Sequence, residues 1–150
     1  MGPLFEQVLE KNPKTVKLVY KNFPLPMHKF AFPAALAGMA ANEQGKFWEF
    51  HDRLFAGGQG FDIKKIEAIA KEVGLDMNRF KKDMASPAIR QQVIADIEAG
   101  RAAGVRGTPS IFVNGHLLKH RSPEAMQALI DQVLAKAKQN GRTRHHAEAN

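Results

Sequence analysis

Apolar and polar residues alternate along this chain with two different periods, which separate predicted helices from predicted strands. Apolar residues spaced three and four positions apart are typical of helices that bury one face against a core. This spacing occurs near the start of the chain, through its long central part and near its end. It predicts helices over residues 3–11, 29–42, 47–55, 62–74, 76–84, 86–104 and from 122 to about 140.

Other stretches carry the two-residue alternation of strands. The segment Thr15–Tyr20 is rich in β-forming residues and predicts a strand. The segments Ser110–Val113 and His116–Lys119 enclose the pair Asn114-Gly115. Because that pair is typical of a type I′ turn, these two segments predict a β-hairpin.

Residues with special backbone preferences mark several predicted helix ends. Asp62 and Asp76 are each followed by a helical apolar pattern, so we expect both to be N-caps. Gly74 lies where the first of these helices should end, and glycine readily adopts the left-handed conformation found there. Pro87 suits the first position of the next helix.

The order of these elements is helix, strand, several helices, hairpin and helix, which predicts an α/β fold. The 150-residue length is that of one domain, and we find no internal repeat. The helices over about 29–104 are interpreted as an insertion into a smaller α/β unit. The apolar pattern stops past Asn140, and residues 141–150 are predicted to be a disordered basic tail.

The composition excludes several kinds of chemistry and partner. The sequence has no cysteine, which excludes disulfides, thiolate metal sites and thiol nucleophiles in this chain. The net charge is +7, but the charges are scattered and form no arginine-rich helix, so we expect no nucleic-acid partner. No apolar run reaches about 20 residues, so we expect no membrane insertion. Residues 1–6 do not have the pattern of a signal peptide.

The histidines do not indicate a catalytic or metal site. His116 and His120 flank a predicted strand and share no helical face, so they are not expected to bind a metal together. His51 lies beside Asp52 on an aromatic helix and is predicted to be a packed or capping residue. We therefore predict no catalytic residue, no metal and no cofactor.

Three segments together resemble the DsbA-like thiol-disulfide oxidoreductase family. The first runs from Val105 to Gly115 and contains Gly-Thr-Pro directly before the predicted hairpin. The second, from Val16 to His28, contains Asn-Phe-Pro-Leu-Pro. The third runs from Ala41 to Asp52. The resemblance covers roughly residues 3–135, and it rests on the combination, because Gly-Thr-Pro alone is a weak signal.

The resemblance implies a thioredoxin-like fold with an inserted helical subdomain, in an incomplete domain over residues 1–140. Family members begin with a central strand and then carry Cys-x-x-Cys at a helix N-terminus. The sequence has neither the strand nor the cysteines, so we expect a truncated or degenerate oxidoreductase domain that is redox-inactive. The family acts outside the bacterial cytoplasm.

The resemblance also assigns substrate-binding residues. In the family a proline at the position of Pro109 follows a cis peptide bond, and the backbone before it pairs with an extended substrate. Gly107, Thr108 and Pro109 are therefore the expected binding residues for an extended peptide or unfolded protein. The resemblance also places His28 near the family's substrate groove.

Two alternatives remain beside the oxidoreductase interpretation. One is a non-catalytic module that binds peptides or itself. Loss of the central strand would leave apolar edges on both sides of a gap. The gap could be closed by direct antiparallel pairing, or filled from a second copy as a homodimer or strand swap. The other alternative is an enzyme of the glutathione transferase kind, although no glutathione-site residue is identifiable.

Overall fold

The computed structural model describes the backbone of residues 2–58, 60 and 62–147, with side chains except at Pro3 and from 140 onward. Most of the described chain is helical. The helices are α1 (Gly2–Lys11), α2 (Ala31–Asn42), α3 (Phe47–Ala56), α4 (Ile63–Glu72), α5 (Met77–Met84), α6 (Pro87–Ala102) and α7 (Pro123–Ala147). The strands are β1 (Phe112–Val113) and β2 (His116–Leu117).

The predicted helix ends are confirmed by hydrogen bonds and backbone angles. Asp62 and Asp76 each accept a bond at 2.9 Å from the backbone N–H three residues later, at Lys65 and Arg79. Gly74 has a φ of +74° just past α4, where its N–H donates to a carbonyl of the last helical turn. These short-range contacts satisfy backbone groups that a helix end would otherwise leave unpaired.

The predicted hairpin is also confirmed, although its strands are shorter than expected. Phe112 pairs with Leu117 in an antiparallel register. Asn114 and Gly115 have φ values of 45° and 83°, as both central positions of a type I′ turn require. The backbone N–H of Leu118 donates to the carbonyl oxygen of Ile111 at 2.8 Å, which continues the pairing by one residue pair.

The strand predicted over Thr15–Tyr20 is wrong. Residues 16–25 have no regular secondary structure, and the sheet formed by the described residues contains only β1 and β2. The direct antiparallel pairing expected across the gap is absent from it. A strand exists only when a neighbour completes its hydrogen bonds, whatever its own β propensity. Val16 instead contributes a half-buried side chain to an apolar cluster.

The described chain divides into two compact units. We call Val19–Thr108 the helical unit, and residues 2–18 together with 109–147 the hairpin unit. The helical unit contains the whole of the predicted insertion over 29–104. Its core is built around α2, whose small side chains let other helices approach closely, and around Phe50, Ile66, Phe80 and Val93, which are almost completely buried.

The hairpin unit has its own core between α1, the hairpin and α7. Val8, Leu118, Met126 and Ile130 are buried there. The side chain of Asn12, just after α1, donates to the Gln127 side-chain oxygen on α7 at 2.7 Å and accepts from its nitrogen at 3.2 Å. This reciprocal pair satisfies a buried amide and fixes α1 against α7.

Helix α7 continues to Ala147, beyond the predicted end near Asn140. The last side chain of α7 in the hairpin core is Leu134. Residues 135–139 are exposed, so the core does not require the last turns of the helix. Residues 148–150 lie outside the described residues, and the disordered basic tail over 141–150 stays a prediction.

Candidate functional site

The segment Gly107–Pro109 connects the two units and leads into the hairpin. Gly107 is half-buried, whereas Thr108 and Pro109 are exposed. A Cβ added at Gly107 would meet no heavy atom within 4 Å, so this glycine is not required by local packing. The structure therefore places the three predicted binding residues in the bend before β1, with Thr108 and Pro109 at the surface.

The peptide groups of Thr108 are available to a partner. Within the described part of the chain, neither its N–H nor its carbonyl oxygen has a hydrogen-bond partner. Residues 107–109 form a bend, and proline at the next position disfavours the helical conformation for Thr108. An exposed backbone with a free donor and acceptor is one to which an extended peptide can add a strand.

A buried carboxylate, which sequence reasoning missed, positions the Asn-Phe-Pro-Leu-Pro segment on α6. Asp96 accepts from the Lys21 ammonium group at 3.0 Å. Its second oxygen accepts from the Asn22 backbone N–H at 3.0 Å and from the Asn22 side-chain amide at 3.1 Å. Asn22 and Asp96 are both buried, so their polar groups depend on each other.

One turn further along α6, Gly100 admits the ring of Phe23. A Cβ at Gly100 would lie 2.6 and 2.7 Å from two ring carbons of Phe23, closer than real contacts allow. Asp96 and Gly100 are four residues apart and therefore share one helix face. Residues 21–23 pack on that face, where hydrogen bonds to the Asp96 carboxylate and the space left by Gly100 together fix the segment.

Next to this anchor, five rings of the helical unit form an aromatic cluster: Tyr20, Phe47, Trp48, His51 and Phe55. His51 is buried at its centre, with ring centroids 5.2 Å from Tyr20 and 4.6 Å from Phe55. Its Nδ1 lies 2.9 Å from a carboxylate oxygen of Asp52. The prediction that His51 is a packed residue is confirmed.

Tyr20 joins the aromatic cluster to the anchored segment. Its ring centroid lies 5.1 Å from that of Phe47 and 6.4 Å from that of Trp48. Burial of the phenol, and then the negative charge of Asp96, raise the pKa of Tyr20 above its ordinary value of 10.0. Both causes act against the tyrosinate form, since an apolar site and a nearby carboxylate each disfavour an additional negative charge.

The other histidine side chains that the structure describes lie at the surface. His28, His116 and His120 are exposed and lie on separate turns or strands. Among the residues that the structure describes, no group of three or more His, Asp or Glu side chains is arranged to hold a metal ion. Among the same residues, no helix has the length and apolar character to cross a bilayer.

Most of the chain is similar in sequence to known proteins. The family described as Thioredoxin matches residues 2–132. A probable disulfide bond formation protein D from Bacillus cereus is 32% identical over 143 residues, which are 89% of this chain and 64% of that protein. Na(+)/H(+) antiporter NhaA 3 from Salinispora tropica is 34% identical over 122 residues, which are 81% of this chain and 18% of the antiporter. The chain thus spans less than a fifth of that transporter.

Solved structures agree with the predicted fold. A thioredoxin-like oxidoreductase from Silicibacter pomeroyi superposes with a TM-score of 0.76 at 28% identity, covering 87% of this chain and 75% of that one. The thiol-disulfide exchange protein α-DsbA2 from Wolbachia pipientis superposes with a TM-score of 0.74 at 20% identity, covering 87% and 71%. The prediction of a thioredoxin-like fold with a helical insertion is confirmed.

Proposed function

We propose that this domain, which belongs to the Thioredoxin family matched over residues 2–132, binds extended polypeptide segments and exchanges no disulfides itself. The observation that carries the proposal is the free, exposed peptide backbone of Thr108 in a sequence that has no cysteine. The proposed binding residues are Gly107, Thr108 and Pro109. The proposed partner is an extended peptide or an unfolded protein.

The redox half of this proposal follows from thiol chemistry. Disulfide exchange begins with attack of a thiolate on a disulfide sulfur, and the attacking group must be a cysteine. The 150 residues contain none, so this chain cannot form the mixed disulfide through which exchange proceeds. Within the family, the proposed role of this chain is then substrate binding without disulfide exchange.

The binding half rests on preorganisation of the Thr108 backbone. An extended peptide gains affinity only to the extent that its hydrogen bonds exceed the cost of ordering both partners. Pro109 lowers that cost, because it already disfavours the helical conformation at Thr108. By family resemblance, the proposal includes a cis peptide bond between Thr108 and Pro109. The carbon chemical shifts of Pro109 in an NMR spectrum would test this.

Reduction of insulin by dithiothreitol tests the redox half. We expect the purified chain to leave the rate equal to that of dithiothreitol alone, while a thioredoxin with an intact Cys-x-x-Cys accelerates it. Any saturable acceleration by the cysteine-free chain would contradict the proposal, because no residue of the sequence could supply the thiolate.

Binding of a cysteine-free unfolded polypeptide tests the other half. We expect Pro109→Ala to weaken binding by roughly tenfold, which corresponds to about 1.4 kcal/mol of lost preorganisation. Pro87→Ala is the matched control, because Pro87 is also exposed but begins α6 and does not precede a strand. Equal affinities of the two variants would contradict the assignment of the site.

Self-association is the alternative that one observation favours. The hairpin is short, and residues 16–25 lie outside the two-stranded sheet, so strand edges are available to a second copy. A homodimer or strand swap would give twice the monomer mass in light scattering at micromolar concentration. A monomer with a single cooperative unfolding transition would contradict this alternative.

A further inference from the structure

The outer face of α3 carries aromatic side chains that packing around His51 covers only in part. Trp48 is 41% exposed and Phe55 is 56% exposed. The two residues are seven positions apart on one helix, so they lie on the same face two turns apart. Asp52 lies between them on that face and is 62% exposed. Glu49, three positions before Asp52 and next to it on the helix surface, is exposed as well.

We call Trp48, Glu49, Asp52 and Phe55 the acidic aromatic stripe. Its Trp48 ring is oriented by T-shaped contacts with Phe47 and His51, whose ring centroids lie 5.1 and 5.5 Å away. Aromatic residues that keep a fixed orientation while exposed pay little entropy on binding, which is why they recur at the centre of interfaces.

The charge of the stripe opposes that of the whole chain. The sequence has a net charge of +7, yet both ionisable side chains of the stripe are acidic. The nearby Arg53 does not neutralise them, because its guanidinium binds Glu72 on α4, with Nε 2.6 Å from the carboxylate. A carboxylate oxygen of Asp52 lies 2.9 Å from Nδ1 of His51. Among the described residues, Glu49 forms no ion pair.

The size of the exposed aromatic surface argues against a second copy as the occupant. Trp48 and Phe55 together expose about 200 Å², taking side-chain areas of 150–250 Å² each. A stable protein–protein interface needs about 800 Å² from each partner. The stripe is thus suited to a short segment that supplies one or two apolar side chains, and its carboxylates select segments of positive charge.

We propose that the acidic aromatic stripe docks a short, positively charged apolar segment of another polypeptide. This surface lies wholly within the helical unit, on α3, and it contains none of the residues Gly107–Pro109. The indole and the phenyl ring contact the apolar side chains of the segment. Glu49 and Asp52 pair with its lysine or arginine side chains, whose cations also interact favourably with the Trp48 ring.

Trp48 is the single tryptophan of the sequence, so tryptophan fluorescence of the chain reports directly on the stripe. Two synthetic peptides with identical leucine and phenylalanine positions, one carrying lysine and the other glutamate, are titrated into the full chain. We expect the lysine peptide to shift the Trp48 emission to shorter wavelength in a saturable, salt-sensitive way. We expect no shift with the glutamate peptide.

Variants then separate the stripe from other surfaces. Glu49→Gln with Asp52→Asn should weaken the lysine peptide about five- to tenfold, the scale of two exposed ion pairs. Phe55→Ser should also weaken it, whereas Leu117→Ser should not, although Leu117 is 54% exposed on β2. Circular dichroism confirms that each variant is folded.

Four results would overturn the proposal. The first is equal binding of both peptides, and the second is unchanged affinity after removal of the two carboxylates. The third is an absence of any emission shift with the lysine peptide. The fourth is an emission shift that depends on protein concentration alone, which would assign the stripe to a second copy. None of these results bears on the insulin assay, so the proposed function is tested separately.

Discussion

Removing the buried carboxylate of Asp96 should destabilise the helical unit through Asn22. One oxygen of Asp96 accepts both Asn22 bonds, at 3.0 and 3.1 Å, and Asn22 is only 3% exposed. In Asp96→Ala both donors would be buried without an acceptor, and each such loss costs about 1–3 kcal/mol. The third partner, Lys21, is 64% exposed and can return to water, so its loss adds at most about 1 kcal/mol. We expect a total loss of about 2–7 kcal/mol.

Asp96→Asn is the matched control for this prediction. An amide oxygen in the place of the second carboxylate oxygen keeps both bonds to Asn22 and loses only the exposed ion pair with Lys21. We therefore expect Asp96→Asn to cost no more than about 1 kcal/mol. Urea unfolding followed by Trp48 fluorescence measures both variants within the helical unit. Equal losses in the two variants would refute the reasoning, because the ion pair and not the Asn22 donors would then carry the stability.

Further predictions concern the neighbouring residues. Gly100→Ala should lower the free energy of unfolding by about 1–3 kcal/mol, because the clash with Phe23 outweighs the helix propensity of alanine. Gly107→Ala, whose Cβ would meet no neighbouring atom, should change the free energy of unfolding in urea by less than about 0.5 kcal/mol. Equal losses in the two variants would contradict the assigned clash at Gly100. Tyr20 is the only tyrosine, so its absorbance titration should give a pKa above 10.0, lowered but still above 10.0 in Asp96→Asn because burial is the larger cause. The folded state then holds the phenol proton of Tyr20 more tightly than the unfolded state does. The stability that Tyr20 contributes is therefore present below about pH 10 and is lost as the pH rises through the raised native pKa. A measured Tyr20 pKa at or below 10.0 would contradict the assigned burial.

The helices and their ends follow from the sequence because their signals are local. Asp62 caps α4 through a residue three positions away, and Gly74 ends it through its own backbone freedom. The hairpin is predictable for the same reason, since Asn114 and Gly115 determine its turn. In each case the deciding contact lies within one turn of chain.

The strand expected over Thr15–Tyr20 shows where local reasoning fails. The alternation of apolar and polar residues in this segment indicates which side chains can be buried. A strand also needs a neighbouring strand to pair with, and the local sequence does not show whether one is present. The anchor of Asn22 on Asp96 was missed for a similar reason, because 74 residues separate the partners. Nothing in the sequence around α6 distinguishes this aspartate from a solvated one.

The candidate site was reached from the sequence only through family resemblance. Proline at the start of a strand is unremarkable by itself, and Gly107 meets no neighbour that would require glycine. The structure adds that Thr108 is exposed and that its peptide groups are unpaired within the described residues. The aromatic cluster was partly predictable, because His51 and its neighbours on α3 share helical spacing, but Tyr20 joins it from outside that helix.

The measurement that tests the central claim most directly is an amide NMR titration of the intact chain with an unfolded polypeptide lacking cysteine, lysine and arginine. Omitting the basic residues avoids the acidic aromatic stripe. We predict that the largest shift changes occur at Gly107, Thr108 and Ser110, with Pro109→Ala reducing them and α4 and α5 unaffected. An absence of changes at these amides, or changes concentrated in the helical unit away from them, would contradict the claim that this cysteine-free domain binds extended polypeptides at the turn before β1.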